Sequence, residues 1–121
     1  MNGLLQDPMV DALAGFLDVN VFRNGLIISN LANVDTPGYH TRDINFQQEL
    51  ARSEGDLSYA EFSPAVRQVR NLPLRPDGNN VNLERETLLL AETQIRFNTG
   101  VQLLRDYFKS MLSAIHEGSG S

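Results

Sequence analysis

Cysteine is absent from this chain. Disulfides, zinc–thiolate centres and thiol catalysis are thereby excluded, while the compartment stays open, because a cysteine-free chain suits any redox environment. Long hydrophobic runs are missing as well. No stretch reaches the roughly 18 apolar residues that would span a membrane. Asp7, Asp11 and Asp18 interrupt the N-terminal region early, so it lacks the basic-then-apolar pattern of a removable secretory signal. If the protein leaves the cytoplasm, another route is expected. Histidine is scarce. His40 and His116 stand far apart, and each suits a surface or a helix end better than a metal site. HExxH, a Gly-rich phosphate loop and a GxSxG elbow do not occur. The 10 basic residues are scattered among 15 acidic ones, for a formal net charge of -5. Phosphate binding needs clustered Lys and Arg, so nucleic acid is disfavoured as a partner. Asp35, Asp43, Glu84 and Glu86 read as turn, cap and dipole residues rather than acid–base pairs. No catalysis, cofactor, metal or small-molecule substrate is expected.

What is there sorts into three regions. Residues 1–33 are apolar and periodic, 34–80 are rich in turn formers, and 81–117 are periodic again. The 118–121 Gly-Ser-Gly-Ser end reads as a flexible tail. The 121 residues suit one domain or one subunit of an assembly. The C-terminal region is the clearest. Asp77-Gly78-Asn79-Asn80 is a strong turn signal. Asn80 or Asn82 then caps a helix over roughly 82–116, on the order of 50 Å long. Glu84 and Glu86 lie in its first turn, where the helix dipole favours negative charge. Leu83, Leu90, Phe97, Val101, Leu104, Phe108, Met111 and Ile115 form one heptad-like stripe, interrupted by Thr87 and Gln94. Val81, Leu88 and Ile95 form a second, shorter one, and Glu92 pairs with Arg96. The rod is long for so small a chain to cover. It packs either on the N-terminal segment alone or on other subunits as well.

The N-terminal region is ambiguous. Asp7-Pro8 looks like a cap followed by proline in the first turn. Val10, Leu13, Leu17, Val21, Ile28 and Leu31 follow a helical stripe. Yet Asp18-Val19-Asn20-Val21 is a poor helix former, and Asn24-Gly25 is a favoured hairpin turn. Local physics thus allows either a helix or two strands at about 19–23 and 26–29. In the middle, Asn45 caps a short helix at about 46–53. Residues 54–64 read as loop. Val66 and Val69 lie in a strand-like piece that Pro73 and Pro76 end.

The N-terminal stripe runs into "SNLANVDTPGY". Proline disfavours helix at Thr36. Pro37-Gly38 fits the centre of a type II turn, with Gly38 at positive φ. Tyr39 can fold its ring back onto the helix end. Asn30 and Asn33 lie on nearly one face, where their amides can bond helix or loop carbonyls. Read physically, this is a helix stop and a fixed corner.

The wording "SNLANVDTPGYHTRDINF" resembles the N-terminal signature of the flagellar axial proteins, the family of rod, hook and hook-associated subunits. "TPGY" followed by "RDINF" looks most like its proximal rod members. "DGNNVNLERE" at 77–86 resembles the start of their C-terminal helix. The likeness covers most of 8–53 and 76–116, whereas 54–75 matches poorly. The resemblance implies a mainly α fold: long N- and C-terminal helices paired as a coiled coil, and a loop-rich middle with a short helix and room for short strands. It favours helix at 9–33. It also implies export through the flagellar type III apparatus and a place in the periplasmic rod of the basal body. Copies of the chain, other rod proteins, and membrane-ring and export-gate proteins would be its partners. Leu13, Leu17, Ile28, Leu31, Leu90, Phe97, Val101, Leu104, Phe108, Met111 and Ile115 would pack subunits together. From their placement around the Pro-Gly corner, Asn30, Asn33 and Tyr39 are expected to lock its angle by hydrogen bonding and ring packing. Both chain ends are expected to be partly disordered until assembly. A soluble helical adaptor is the rival reading, sharing the seam but not the two turn motifs.

Overall fold

Asp7 starts the first helix. Its carboxylate accepts from the backbone N–H groups of Met9 (2.8 Å) and Val10 (3.4 Å), two donors with no partner inside the helix. The computed structural model describes residues 7–53 and 63–119. In chain order the elements are α1 (Pro8–Ala32), β1 (Arg42–Asp43), α2 (Phe46–Ser53), β2 (Arg67–Gln68) and α3 (Leu83–Ser119). The chain is mainly α, with two long helices, a short middle helix and a two-stranded antiparallel ladder pairing Arg42 with Gln68 and Asp43 with Arg67.

The hairpin allowed at Asn24-Gly25 does not form; both residues lie inside α1. Packing along α3 outweighs the weak local propensity. Asn20, a poor helix former, donates its amide to the Phe16 carbonyl one turn back (2.7 Å) and so stays within the helical pattern. Gly25 is exposed and nothing lies within 4 Å of a Cβ built on it. Its substitution by alanine is therefore expected to raise the unfolding free energy by about 1 kcal/mol. Urea unfolding measured by helical circular dichroism checks this. A loss would mean that the backbone there is under a constraint the fold does not reveal.

Asn82, not Asn80, caps α3: its Oδ1 accepts from Arg85 N–H at 3.0 Å. The helix takes in Gly118 and Ser119 from the expected tail, while Gly120 and Ser121 lie outside the described residues. Most of the expected loop at 54–64 lies outside them too. At 37 residues, α3 is about 55 Å long.

Three contacts fix α1 and α3 as an antiparallel pair. Asn30 meets Glu86 at one end (2.8 Å) and Asp7 meets Tyr107 at the other (2.6 Å). Between them Leu17 and Phe16 close on Gly100, where an added Cβ would come within 2.8 Å of Leu17. A side chain there would have to push Leu17 and Phe16 aside. Beyond Tyr107, α3 runs on past the start of α1 by about 18 Å.

The core differs from the expected leucine seam. It is Val19, Ile44 and Phe46, with Phe16, Phe22, Leu26 and Leu50 packed around them. Phe16 and Phe46 meet edge to face at 6.0 Å. The Arg96 guanidinium lies over Phe46 at 4.8 Å, while pairing with Glu92 at 2.6 Å. Along the helix pair Val19 and Ile27 are buried together with polar or small residues: Asn20, Asn30, Glu86, Thr93 and Gly100. Leu13, Leu17, Leu31, Leu90, Phe97, Val101, Leu104 and Met111 are half-buried at its edges.

Candidate functional site: a junction clamp and an uncovered apolar face

The corner after α1 is made by side chains reaching backward. Asn33 donates to the Ser29 carbonyl (2.8 Å), and its Oδ1 accepts from the Thr36 hydroxyl (3.0 Å). Tyr39 N–H closes on the Thr36 carbonyl (3.2 Å). That brackets Pro37 and Gly38, and Gly38 has φ +76°, as a type II turn demands. The Tyr39 hydroxyl then donates to Asn30 Oδ1 at 2.9 Å.

Asn30 is the hub. It is 1% exposed and makes four hydrogen bonds. Its amide donates to the Arg42 carbonyl (2.9 Å) and to Glu86 Oε1 (2.8 Å). Its oxygen accepts from Tyr39 and from Arg42 N–H (3.1 Å). All four amide sites are engaged, the most an asparagine side chain can satisfy.

The second motif locks into the first. Gly38 N–H donates to the Asp77 carbonyl (2.9 Å), and Asp77 Oδ1 accepts from Asn79 N–H (3.0 Å). Gly78, at φ +84°, lies so close to Gly38 that an added Cβ would stand 3.4 Å from its Cα. The buried Asn79 amide bridges the Asn33 and Thr36 carbonyls, both at 2.9 Å. Asn80 accepts from Thr41 N–H at 2.6 Å, and Arg75 donates to the Val34 carbonyl. So the two sequence motifs form one clamp joining the end of α1 to the start of α3.

A charged chain that sequence reading misses backs the clamp. Asp43 accepts two bonds from Arg23 (both 3.0 Å) and one from Arg85 (2.9 Å). Arg85 also reaches Glu86 Oε1 at 2.9 Å. Asp43 and Glu86 are therefore buried ion-pair residues; Asp43 lies in β1 rather than in a turn, while Glu86 keeps its expected place in the first turn of α3. Burial pushes the Asp43 carboxyl up, but the Arg23 and Arg85 bonds outweigh it and hold it below the usual carboxylate range. For Glu86 burial wins: its carboxyl is raised, with the Asp43 charge adding to the effect and Arg85 and Asn30 opposing it.

The two shifts act on stability with opposite sign. Asp43 stabilises the fold above the unfolded aspartate value, and this is lost as pH falls through its depressed folded value. Glu86 binds its proton more tightly when folded. Its contribution is complete below the unfolded glutamate value and is lost as pH rises through the raised one. Glu86→Gln should thus flatten the loss of stability across the pH range from the ordinary glutamate value upward. Urea midpoints across that range test it; identical profiles for the two proteins would contradict the assignment.

The second feature is a face. Exposed apolar residues run along the helix pair on the side away from α2 and the ladder. On α1 they are Val21 (57% exposed) and Ile28 (52%); on α3 they are Leu83 (54%), Phe108 (36%) and Ile115 (61%). The helical repeat of 3.6 residues puts Leu90, Phe97 and Val101 in the same row. The expected stripe is real, but α1 covers only one flank of it. Leu88 and Ile95, on the opposite side of α3, are also exposed, whereas Val81 from that shorter stripe is buried. Among the described residues, no helix is long and apolar enough to cross a membrane.

No protein-family model matches the chain. It is similar to the flagellar basal body rod protein FlgB of Cereibacter sphaeroides, at 36% identity over 77% of this chain and 82% of that one. The FlgB of Aeromonas hydrophila is 31% identical over 82% and 86% of the two chains, and that of Salmonella typhimurium 29% over 85% and 89%. The chain belongs to the FlgB family. As a FlgB relative it carries both the clamp and the uncovered face on one helical hairpin. The clamp residues are spent on hydrogen bonds to one another, and the face is left available to other molecules.

Proposed function

We propose that the chain is a structural subunit of the proximal flagellar rod, assembling with its own copies and with other rod proteins into the drive shaft of the basal body. The observation that carries this is the apolar face on a FlgB-family helical hairpin. A row of exposed Val, Ile, Leu and Phe along two long helices suits lateral burial against other helices. Head-to-tail contacts with an open rotation build a tube rather than a closed ring. Torque then passes through interlocked seams that resist sliding. The clamp sets the angle between α1 and the segment after it, so each copy presents its face alike. Membrane-ring and export-gate proteins at the rod base are further proposed partners, and type III export is the proposed route. The end of α3, lacking α1 beside it, is expected to fray in the free chain and to order on incorporation.

Mass spectrometry of purified hook–basal bodies tests the reading. The chain is expected there at several copies per body. Its absence, where other rod subunits are detected, would overturn it.

A further inference from the structure

Among the described residues, each buried side-chain polar atom without a hydrogen-bond partner is an acceptor on α1 or α3: Asn20 Oδ1, Asn24 Oδ1 and Glu86 Oε2. The first two, one helical turn apart, line a cleft of about 170 Å³ between the helices, beside Val21 and Phe97. Asn20 is 1% exposed, and its amide nitrogen is committed to the Phe16 carbonyl, which leaves the oxygen for the cleft. The neighbouring donors are turned elsewhere. The Thr93 hydroxyl donates to the Leu89 carbonyl (2.7 Å) and the Gln94 amide to Asn98 (3.4 Å). A buried carbonyl oxygen without a donor is unfavourable. The cleft opens on the apolar face beside Val21 and Phe97, where a molecule covering that face can supply the donor.

We infer that the cleft receives the guanidinium of Arg105 from an adjoining copy of this chain. This rests on the reading of the chain as a rod subunit. Arg105 is exposed and makes no ion pair or hydrogen bond among the described residues. It stands within the apolar row of α3, four residues after Val101 and three before Phe108. On α1, Asn24 stands three residues after Val21 and four before Ile28. The two spacings are mirror images, which is what antiparallel helices require. Opposing Asn24 with Arg105 sets Val21 against Phe108 and Ile28 against Val101. Within one chain α1 and α3 are antiparallel, so they are also antiparallel between two copies pointing the same way. The contact is heterologous and leaves a free α1 face and a free α3 face at the ends, as an open assembly needs. The arginine stem lies along Val21 and Phe97 while its fork donates to both oxygens, a geometry that suits arginine better than a point-charge lysine.

The chain's lack of cysteine makes the test direct. Asn24→Cys and Arg105→Cys are introduced together and singly, basal bodies are purified, and a short thiol-reactive cross-linker is applied. A ladder of dimers and larger species of this chain is expected from the double variant and from neither single one. Incorporation of the double variant without a ladder, or cross-linking only to a different protein, overturns the inference and leaves the rod reading standing. Absence of the wild-type chain from basal bodies refutes the rod reading instead. If the double variant does not incorporate, Arg105→Met decides. It keeps the stem and removes the donors, and is expected to melt as wild type does yet incorporate roughly tenfold less, the scale of one lost charge-assisted hydrogen bond. Arg105→Lys should recover part of that loss. Wild-type incorporation of Arg105→Met overturns the inference.

Discussion

Ile28→Asp is expected to abolish swimming while leaving the free chain's stability within about 0.5 kcal/mol of wild type, the range of an ordinary surface substitution. The side chain is half exposed on α1 and lies outside the core cluster, so an aspartate there meets water in the isolated subunit. In the proposed rod it lies under another helix. A carboxylate buried without a partner costs several kcal/mol, and the cost recurs in every copy. Ile28→Val, which keeps the face apolar, should swim. Motility plates and electron microscopy of basal bodies give the readout. A motile Ile28→Asp strain with complete rods would show that this part of the face stays open to solvent.

Asn30→Leu is expected to destabilise the free chain by about 3–5 kcal/mol, the scale for breaking a buried network that holds a charge. The leucine fills a similar volume, but it makes none of the four bonds. Arg42 loses partners for both its N–H and its carbonyl, the Tyr39 hydroxyl loses its acceptor, and Glu86 keeps only Arg85. Against a total stability of about 5–15 kcal/mol for a typical domain, that is enough to populate the unfolded chain. Urea unfolding at neutral pH measures it. A change below about 1 kcal/mol, no more than one ordinary hydrogen bond, would mean that water replaces asparagine there and that the hub does not hold the corner.

The local parts of the clamp are legible in the sequence because their physics is local. Thr36, Pro37, Gly38 and Tyr39 are a turn in their own four residues, and Asn33 reaches only one helical turn back. The short helix at Phe46–Ser53 comes from the Asn45 cap in the same way. The link from Asn30 to Glu86 spans 56 residues, and no spacing rule announces it. Nor does any rule pair Arg23 with Asp43, or assign Asn79 two carbonyls from the far motif. Asn24-Gly25 misleads for the opposite reason. Its local preference for a turn is genuine, and only the packing of α1 along α3 overrides it. The apolar stripes are visible as periodicity, but periodicity does not say who covers them. Leu90 and Phe97 are half-buried, whereas Ile115, in the same row, is largely exposed. The polar seam, with Asn20, Thr93 and Glu86 more buried than the leucines beside them, escapes sequence reading, because polar residues at core positions carry no periodic signal.

The proposed rod packing covers the face that is bared in the single chain. Ile28→Cys supplies the one thiol needed to test it. Maleimide labelling of that variant should be rapid in the purified free chain, strongly suppressed in isolated basal bodies, and restored when they are dissociated. Equal labelling in both states would contradict the claim.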